Sequence, residues 1–280
     1  MTVKMLGTAA HEGIPAPFCC CDNCNYAREH GGKNIRMRSG VLIDDDIRID
    51  FSPDAYAQSF IHGVNMAEVE HLLISHSHAD HFTPSDLEIR CPPYGHFDFA
   101  PLRVYGNQAV EDKYLEASKY WYAHKHHAEA NKSYIGFMKI SPFDVFQLDE
   151  DTTVTALQAL HNREEDCMVY LIERGNKTVM YGYDSGIYPE LTWQSLADKY
   201  IDVILMDCTF GGSSDGFNHM GLPDNAVIRE RMLSSGIADE NTRFVSTHFS
   251  HNEHVSHEDM ADMADKYGLT CAYDGMEIIC

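Results

Sequence analysis

Six consecutive residues, His76-Ser77-His78-Ala79-Asp80-His81, bring three imidazoles and a carboxylate together. They follow the apolar run Leu72-Leu73-Ile74-Ser75, which reads as a short buried strand. At such a strand end each neutral histidine would leave ring nitrogens in need of partners. The same side chains bind divalent cations well, imidazole through nitrogen and carboxylate through oxygen. The segment therefore predicts a metal centre rather than a polar turn.

A second cluster is Cys19-Cys20-Cys21-Asp22-Asn23-Cys24, four of nine cysteines in the chain. An odd count, grouped with C-x-C-x-x-C spacing, suits a metal clasp in a reducing compartment better than a disulfide framework. Cys19, Cys21 and Cys24 can turn their thiolates onto one ion, with Cys20 pointing away; the fourth ligand must come from elsewhere. Buried thiols in a loop are the competing account.

Further ligand-type residues each sit behind an apolar strand. Thr152–Leu160 ends in His161, Thr178–Tyr183 in Asp184, and Phe244–Thr247 in His248, with His251 three residues on. Singly, each is an ordinary surface or turn residue. As an ordered set at strand ends, where scaffolds place chemistry, they belong with residues 76–81. Two cations about 3.5–4 Å apart acidify a bridging water and stabilise both oxygens of an in-line displacement. His124, His126 and His127 are read instead as a solvated helix end, which favours histidine through the helix dipole.

The elements that must position these groups are mostly strands. Residues 3–8, 39–44, 47–51, 71–75 and 102–106 read as strands in the first half, and 152–160, 168–173, 178–183, 201–206 and 244–247 in the second. Arg174-Gly175-Asn176-Lys177 marks a hairpin, and Asp274-Gly275 predicts a closing hairpin between 269–273 and 276–279. Helices are expected at about 54–61, 107–127, 189–199, 223–233 and from His257, where Ser256 and Asp259 resemble a capping box. The stretch 107–127 carries Tyr114, Tyr120, Trp121 and Tyr122, which could line a pocket, form a homodimer face or pack. With no linker or repeat, residues 1–280 read as a single α/β domain with mixed sheets.

The length of 280 residues permits a sizeable core. The formal charge of −22 repels polyanions, so nucleic acid and anionic membrane surfaces are not expected partners. Met1–Gly7 lacks the basic region and long apolar core of a signal peptide, and no apolar run is long enough to span a bilayer. A cytoplasmic location is the expectation.

The segment 76–81 resembles the H-x-H-x-D-H signature of the metallo-β-lactamase superfamily. The later histidine, aspartate and late histidine follow in the order of that superfamily. The resemblance implies an αββα four-layer sandwich of two mixed sheets flanked by helices. It implies that His76, His78 and His161 hold one metal and Asp80, His81 and His248 a second, with Asp184 bridging. The diiron oxygen-reducing branch carries glutamate where His78 stands, so the histidine favours hydrolysis. Cys19, Cys21 and Cys24 with His251 further resemble the structural zinc site of the cyclic phosphodiesterases of the carbon–phosphorus lyase pathway. That likeness runs from Gly7-Thr8 to about His251. His219, in Phe217-Asn218-His219-Met220, resembles the family's catalytic histidine, and Asp80 and His219 are the candidate catalytic residues.

What the resemblance implies is a dinuclear metal-dependent phosphodiesterase for a small, cyclic or open, phosphate ester. It would hold two active-site cations (zinc, manganese, iron or nickel) and one structural zinc. The stretch Gly7-Thr8-Ala9-Ala10 through Gly13-Ile14-Pro15 also resembles the pyrroloquinoline quinone biosynthesis B protein, the second reading. Lactone or thioester hydrolysis is a third.

Overall fold

The computed structural model describes residues 1–96, 100–121 and 134–280. Its strands form two seven-stranded sheets. In spatial order the first comprises β14 (Glu277–Ile279), β1 (Thr2–Gly7), β2 (Gly40–Ile43), β3 (Ile47–Ile49), β4 (His71–Leu73), β5 (Leu102–Gly106) and β6 (Ile135–Lys139). The second comprises β13 (Thr270–Cys271), β12 (Arg243–Thr247), β11 (Val203–Asp207), β10 (Lys177–Gly182), β9 (Met168–Arg174), β8 (Thr152–Gln158) and β7 (Val145–Gln147). Both sheets are mixed: β3 to β6 and β10 to β13 run parallel, and the remaining pairs antiparallel.

Side-chain alternation along the strands sets the layers. In β9, Met168, Tyr170 and Ile172 face the core between the sheets, while Val169 and Leu171 face outward into a second core. In β11, Val203 and Leu205 separate from Ile204 and Met206 in the same way. The central strands are thus buried on both faces, as parallel strands covered by helices must be.

Six α-helices lie among the described residues: α1 (Asp22–His30), α2 (Ala55–His62), α3 (Gln108–Ser118), α4 (Glu190–Leu196), α5 (Leu222–Ser235) and α6 (His257–Asp265). Trp193 and Leu196 of α4, Ile228 and Met232 of α5, and Met260 and Ala264 of α6 cover the outer face of the second sheet. Ala55 of α2, Val110 of α3 and Leu87 of the 3-10 turn Pro84–Arg90 cover the outer face of the first, against Leu42, Leu72 and Val104. Three cores between four layers make the expected αββα sandwich.

Three expectations need correction. The closing hairpin does not form. β13 pairs in parallel with β12 in one sheet, and β14 pairs antiparallel with β1 in the other. Asp274-Gly275 is the crossing point, where the Asp274 carboxylate accepts from Thr8 Oγ1 and the Met37 amide. Burial of Ile278 opposite Val3 outweighs the local turn signal. Secondly, α1 was not expected; Cys21 caps it, its Sγ accepting from the Cys24 amide. Thirdly, the helix expected over 107–127 closes at Ser118, and Tyr122, His124, His126 and His127 lie outside the described residues. Tyr114 and Trp121 pack edge to face, centroids 5.6 Å apart, in the core under α3, whereas Tyr120 is exposed. No helix among the described residues is long and apolar enough to cross a membrane.

Candidate metal centre

The C-terminal ends of β4, β8, β10 and β12 deliver the predicted ligands to one edge of the sandwich. After β4 the chain turns tightly, with the amides of His81 and Phe82 donating to the His78 carbonyl at 3.1 and 2.8 Å. Glu165 grips that turn, accepting from the Ser77 amide at 3.1 Å and the Ser77 hydroxyl at 2.9 Å. Lys113 Nζ donates to the Ser77 carbonyl at 2.7 Å. Asp184 and His248 sit in the left-handed backbone region, φ +50° and +61°. Residues other than glycine adopt it seldom, and it persists where the surrounding structure enforces it.

Two groups of donor atoms result, each gathered within 4.8 Å: His76, His78, His161 and Asp184, and Asp80, His81, His248 and Asp184. Asp184 belongs to both. Its Oδ2 lies 3.3, 3.1 and 3.4 Å from Nε2 of His76, His81 and His161. His78 Nδ1 is 3.1 Å from His161 Nε2, and Asp80 Oδ2 is 3.3 Å from His81 Nε2 and 3.6 Å from His248 Nε2. Nitrogens bonded at about 2.0–2.1 Å to one tetrahedral cation stand about 3.3–3.4 Å apart.

Among the described residues, Nε2 of His76 and Nε2 of His248 are buried without a hydrogen-bond partner, a costly arrangement unless a cation takes the lone pairs. The residues fit a pair of divalent ions. His76, His81, His161 and His248 would bind through Nε2 and His78 through Nδ1.

A ring of buried acceptors fixes these imidazoles. Asp50, fully buried at the end of β3, accepts from His81 Nδ1 at 2.6 Å, from Ser75 and from Tyr181. Asp207, fully buried at the end of β11, has Oδ2 3.2 Å from Nδ1 of both His248 and His219. Such carboxylate–histidine pairs fix tautomer and ring orientation and raise ligand basicity. Neither aspartate was assigned a role from the sequence. The signal was present, because each ends an apolar strand as Asp184 does.

His219 joins the site: its Nδ1 is 2.9 Å from Asp184 Oδ1, and its ring lies against His161. Burial opposes its charge, but the carboxylates of Asp184 and Asp207 outweigh burial and push it up to about 11. Burial, reinforced by the neighbouring His81, drives His76 down to about 4. The centre floors a pocket of about 350 Å³ whose rim includes His11, Glu12, Thr209 and His219.

The cysteine cluster forms a separate group of donors within 4.8 Å: Cys19, Cys21, Cys24 and His251. Cys21 Sγ is 3.5 Å from His251 Nδ1, Asn23 Nδ2 donates to the His251 carbonyl, and Cys20 is exposed. Three thiolates and one imidazole are a suitable donor set for a structural zinc.

The sequence family described as a beta-lactamase superfamily domain matches residues 46–268. No curated protein sequence matches significantly. Among solved structures, a "new diphosphatase from the PhnP family" superimposes with TM-score 0.74 at 20% identity, covering 100% of this chain and 97% of that one. Zinc-bound PqqB from Methylobacterium extorquens gives TM-score 0.71 at 17% identity, with 100% of each chain covered. The short form of human tRNase Z gives 0.66 at 17% identity, covering 100% of this chain and 99% of that one. At these identities the structural likeness is one of fold.

Proposed function

The chain belongs to the beta-lactamase superfamily of metal-dependent hydrolases, and on that premise we propose that it is a phosphodiesterase acting on a small phosphate ester. The observation that carries the proposal is the shared Asp184 carboxylate. It lies within 3.1–3.4 Å of imidazoles from both donor groups, with His219 against its other oxygen. That a structurally similar protein is a diphosphatase supports attack at phosphorus rather than at carbonyl carbon. The formal charge of −22 supports a small substrate over an RNA.

Two divalent cations in this site would acidify water and neutralise charge on the phosphoryl oxygens. The chain's own contribution starts with His76, His78 and His161 on one side and Asp80, His81 and His248 on the other, with Asp184 between. Asp50 and Asp207 keep the Nδ1 protons of His81 and His248 in place, so that each Nε2 lone pair faces inward. His219 has Nδ1 against Asp184 and Asp207, which leaves Nε2 as its edge toward the pocket. From Nε2 it would donate a hydrogen bond to the phosphoryl oxygen or a proton to the leaving oxygen.

The test is hydrolysis of bis(p-nitrophenyl) phosphate and a panel of cyclic phosphates by protein of known metal content. Asp80→Ala is expected to abolish turnover, and His219→Ala to slow it by about 10²–10⁴, the usual range for a positioned general acid. An Asp80→Ala variant with wild-type turnover would end the proposal. Turnover confined to lactones or thioesters would move the reaction to carbonyl carbon.

A further inference from the structure

Asp80 divides its two oxygens between two tasks. Oδ2 faces His81 and His248 at 3.3 and 3.6 Å. Oδ1 accepts a 2.9 Å hydrogen bond from His11 Nδ1. The contrast in exposure across that bond is large, because the His11 side chain is 70% exposed and that of Asp80 only 3%. An exposed histidine normally has no reason to hold one geometry. The loop that carries it explains why this one does.

That loop is fastened on both flanks by backbone hydrogen bonds. The Ala10 amide donates to the Phe249 carbonyl at 3.0 Å, and the Phe249 amide returns a bond to Thr8 at 2.8 Å. On the other side the Ala9 amide donates to Met37, and Ile14 and Arg36 exchange a pair of bonds. Phe249 directly follows His248, so the loop is held in register with another residue of the same donor group. Since Asp80 accepts, His11 donates its Nδ1 proton and shows its remaining edge to the pocket.

We propose that His11 is a positioning residue for Asp80, holding its carboxylate by one oxygen so that the other alone faces the half-site of Asp80, His81 and His248. The proposal rests on the metal-centre reading above. It adds a selective dependence: among the described residues His11 makes its hydrogen bond to Asp80 and none to His76, His78 or His161. Removing the imidazole frees Asp80 Oδ1 and lets the carboxylate rotate, which weakens one cation and leaves the other.

The experiment is titration of chelator-treated protein with Mn²⁺, followed by the electron paramagnetic resonance signal of free Mn²⁺. Oxygen and nitrogen donors suit Mn²⁺ while thiolates do not, so the cysteine clasp stays out of the count. Wild type is expected to take up two ions per chain. In His11→Ala the first ion should bind unchanged and the second about 10–100-fold more weakly, the usual cost of losing an outer hydrogen-bond partner. His11→Asn, whose amide can donate from nearly the same place as Nδ1, should restore much of that affinity.

Equal uptake by wild type and His11→Ala would overturn the inference and leave the metal centre standing. Weakening of both ions alike, or no rescue by His11→Asn, would assign the effect to loop packing and overturn it as well. A wild type that takes up no Mn²⁺, and in a parallel titration no Zn²⁺ beyond one ion at the clasp, would remove the metal-centre reading, and this inference with it.

Discussion

The chain gathers ligand-type side chains in two places, and the places are built differently. The Cys19–Cys24 turn and His251 form a clasp of three sulfurs and a ring nitrogen. The His76–His81 turn, His161, Asp184 and His248 come from four strand ends and floor an open pocket. A cation surrounded by four thiolate and imidazole ligands has no position left for a substrate, whereas histidine and carboxylate sites keep one. The outer partners differ as well. Asp50, Asp207 and His11 fix the imidazoles and the carboxylate of the open centre through charged hydrogen bonds. The clasp is bound mainly by amides around its own turn, such as Ala16 and Cys24 donating to sulfur. Geometry thus separates a group that could act on a ligand from one that staples a loop.

The most severe challenge to that division is Asp184→Asn. Because one carboxylate serves both donor groups, the substitution should abolish phosphodiester turnover and remove both Mn²⁺ ions. Zinc at the clasp, counted by elemental analysis, should remain. If turnover survives with one ion lost, the carboxylate does not bridge and the open centre is two independent sites.

The reverse change is Cys21→Ser with Cys24→Ser. This should cost clasp zinc and stability while leaving Mn²⁺ uptake intact. A loss of about 3 kcal/mol would lower the melting temperature by roughly 6–12 °C, at about 2–4 °C per kcal/mol for a large domain. Unchanged melting would mean that the clasp holds nothing that matters to folding.

Asp207→Asn sharpens the comparison from within the open centre. Asp207 accepts from Thr209, Met220, His219 and His248, and shares a donor group within 4.8 Å with Asp184, His219 and His248, so it bears on the open centre through the ligand His248. Its neutral replacement should reduce kcat/KM about 10–100-fold, with clasp zinc unchanged. A variant of wild-type kcat/KM would reduce Asp207 to a packing residue.

How much of this was legible beforehand depended on range. The ligands predicted for the open centre come just after apolar strands, so a local pattern identified them and the sheets did the rest. Asp50 and Asp207 carried the same pattern, but a buried carboxylate declares its role only when its partners arrive from other strands. The His11–Asp80 bond spans 69 residues and has no local signature. α1 was invisible for a related reason: it is short and polar, and only Cys24 and Ala27 of its nonpolar side chains are buried. The Asp274-Gly275 turn misled because a strong hairpin signal was overruled by two sheets, each claiming one of its strands.

The smallest expected effect lies in the seam behind the clasp. Arg36 bonds Thr8 at the base of the His11 loop, the Ala272 carbonyl, and Nδ1 of His257 at 2.9 Å. His257 faces Arg36, Lys33, Glu258, Cys271 and Tyr273. Burial, with Arg36 and Lys33 adding repulsion, drives its pKa from 6.5 to about 4. In the unfolded chain the imidazole takes up its proton near 6.5, whereas the folded chain resists until about 4. The unfolded state therefore binds more protons in that interval, and stability falls as pH drops through it. Above 6.5 the contribution is fully present, and below 4 no further loss comes from this group. His257→Asn keeps an acceptor for Arg36 and removes the titration, so denaturant melts from pH 7 to pH 4 should show the variant losing less stability than wild type. Parallel losses would show that His257 takes up its proton in the folded chain as readily as in the unfolded one, and that this seam adds nothing to the pH dependence.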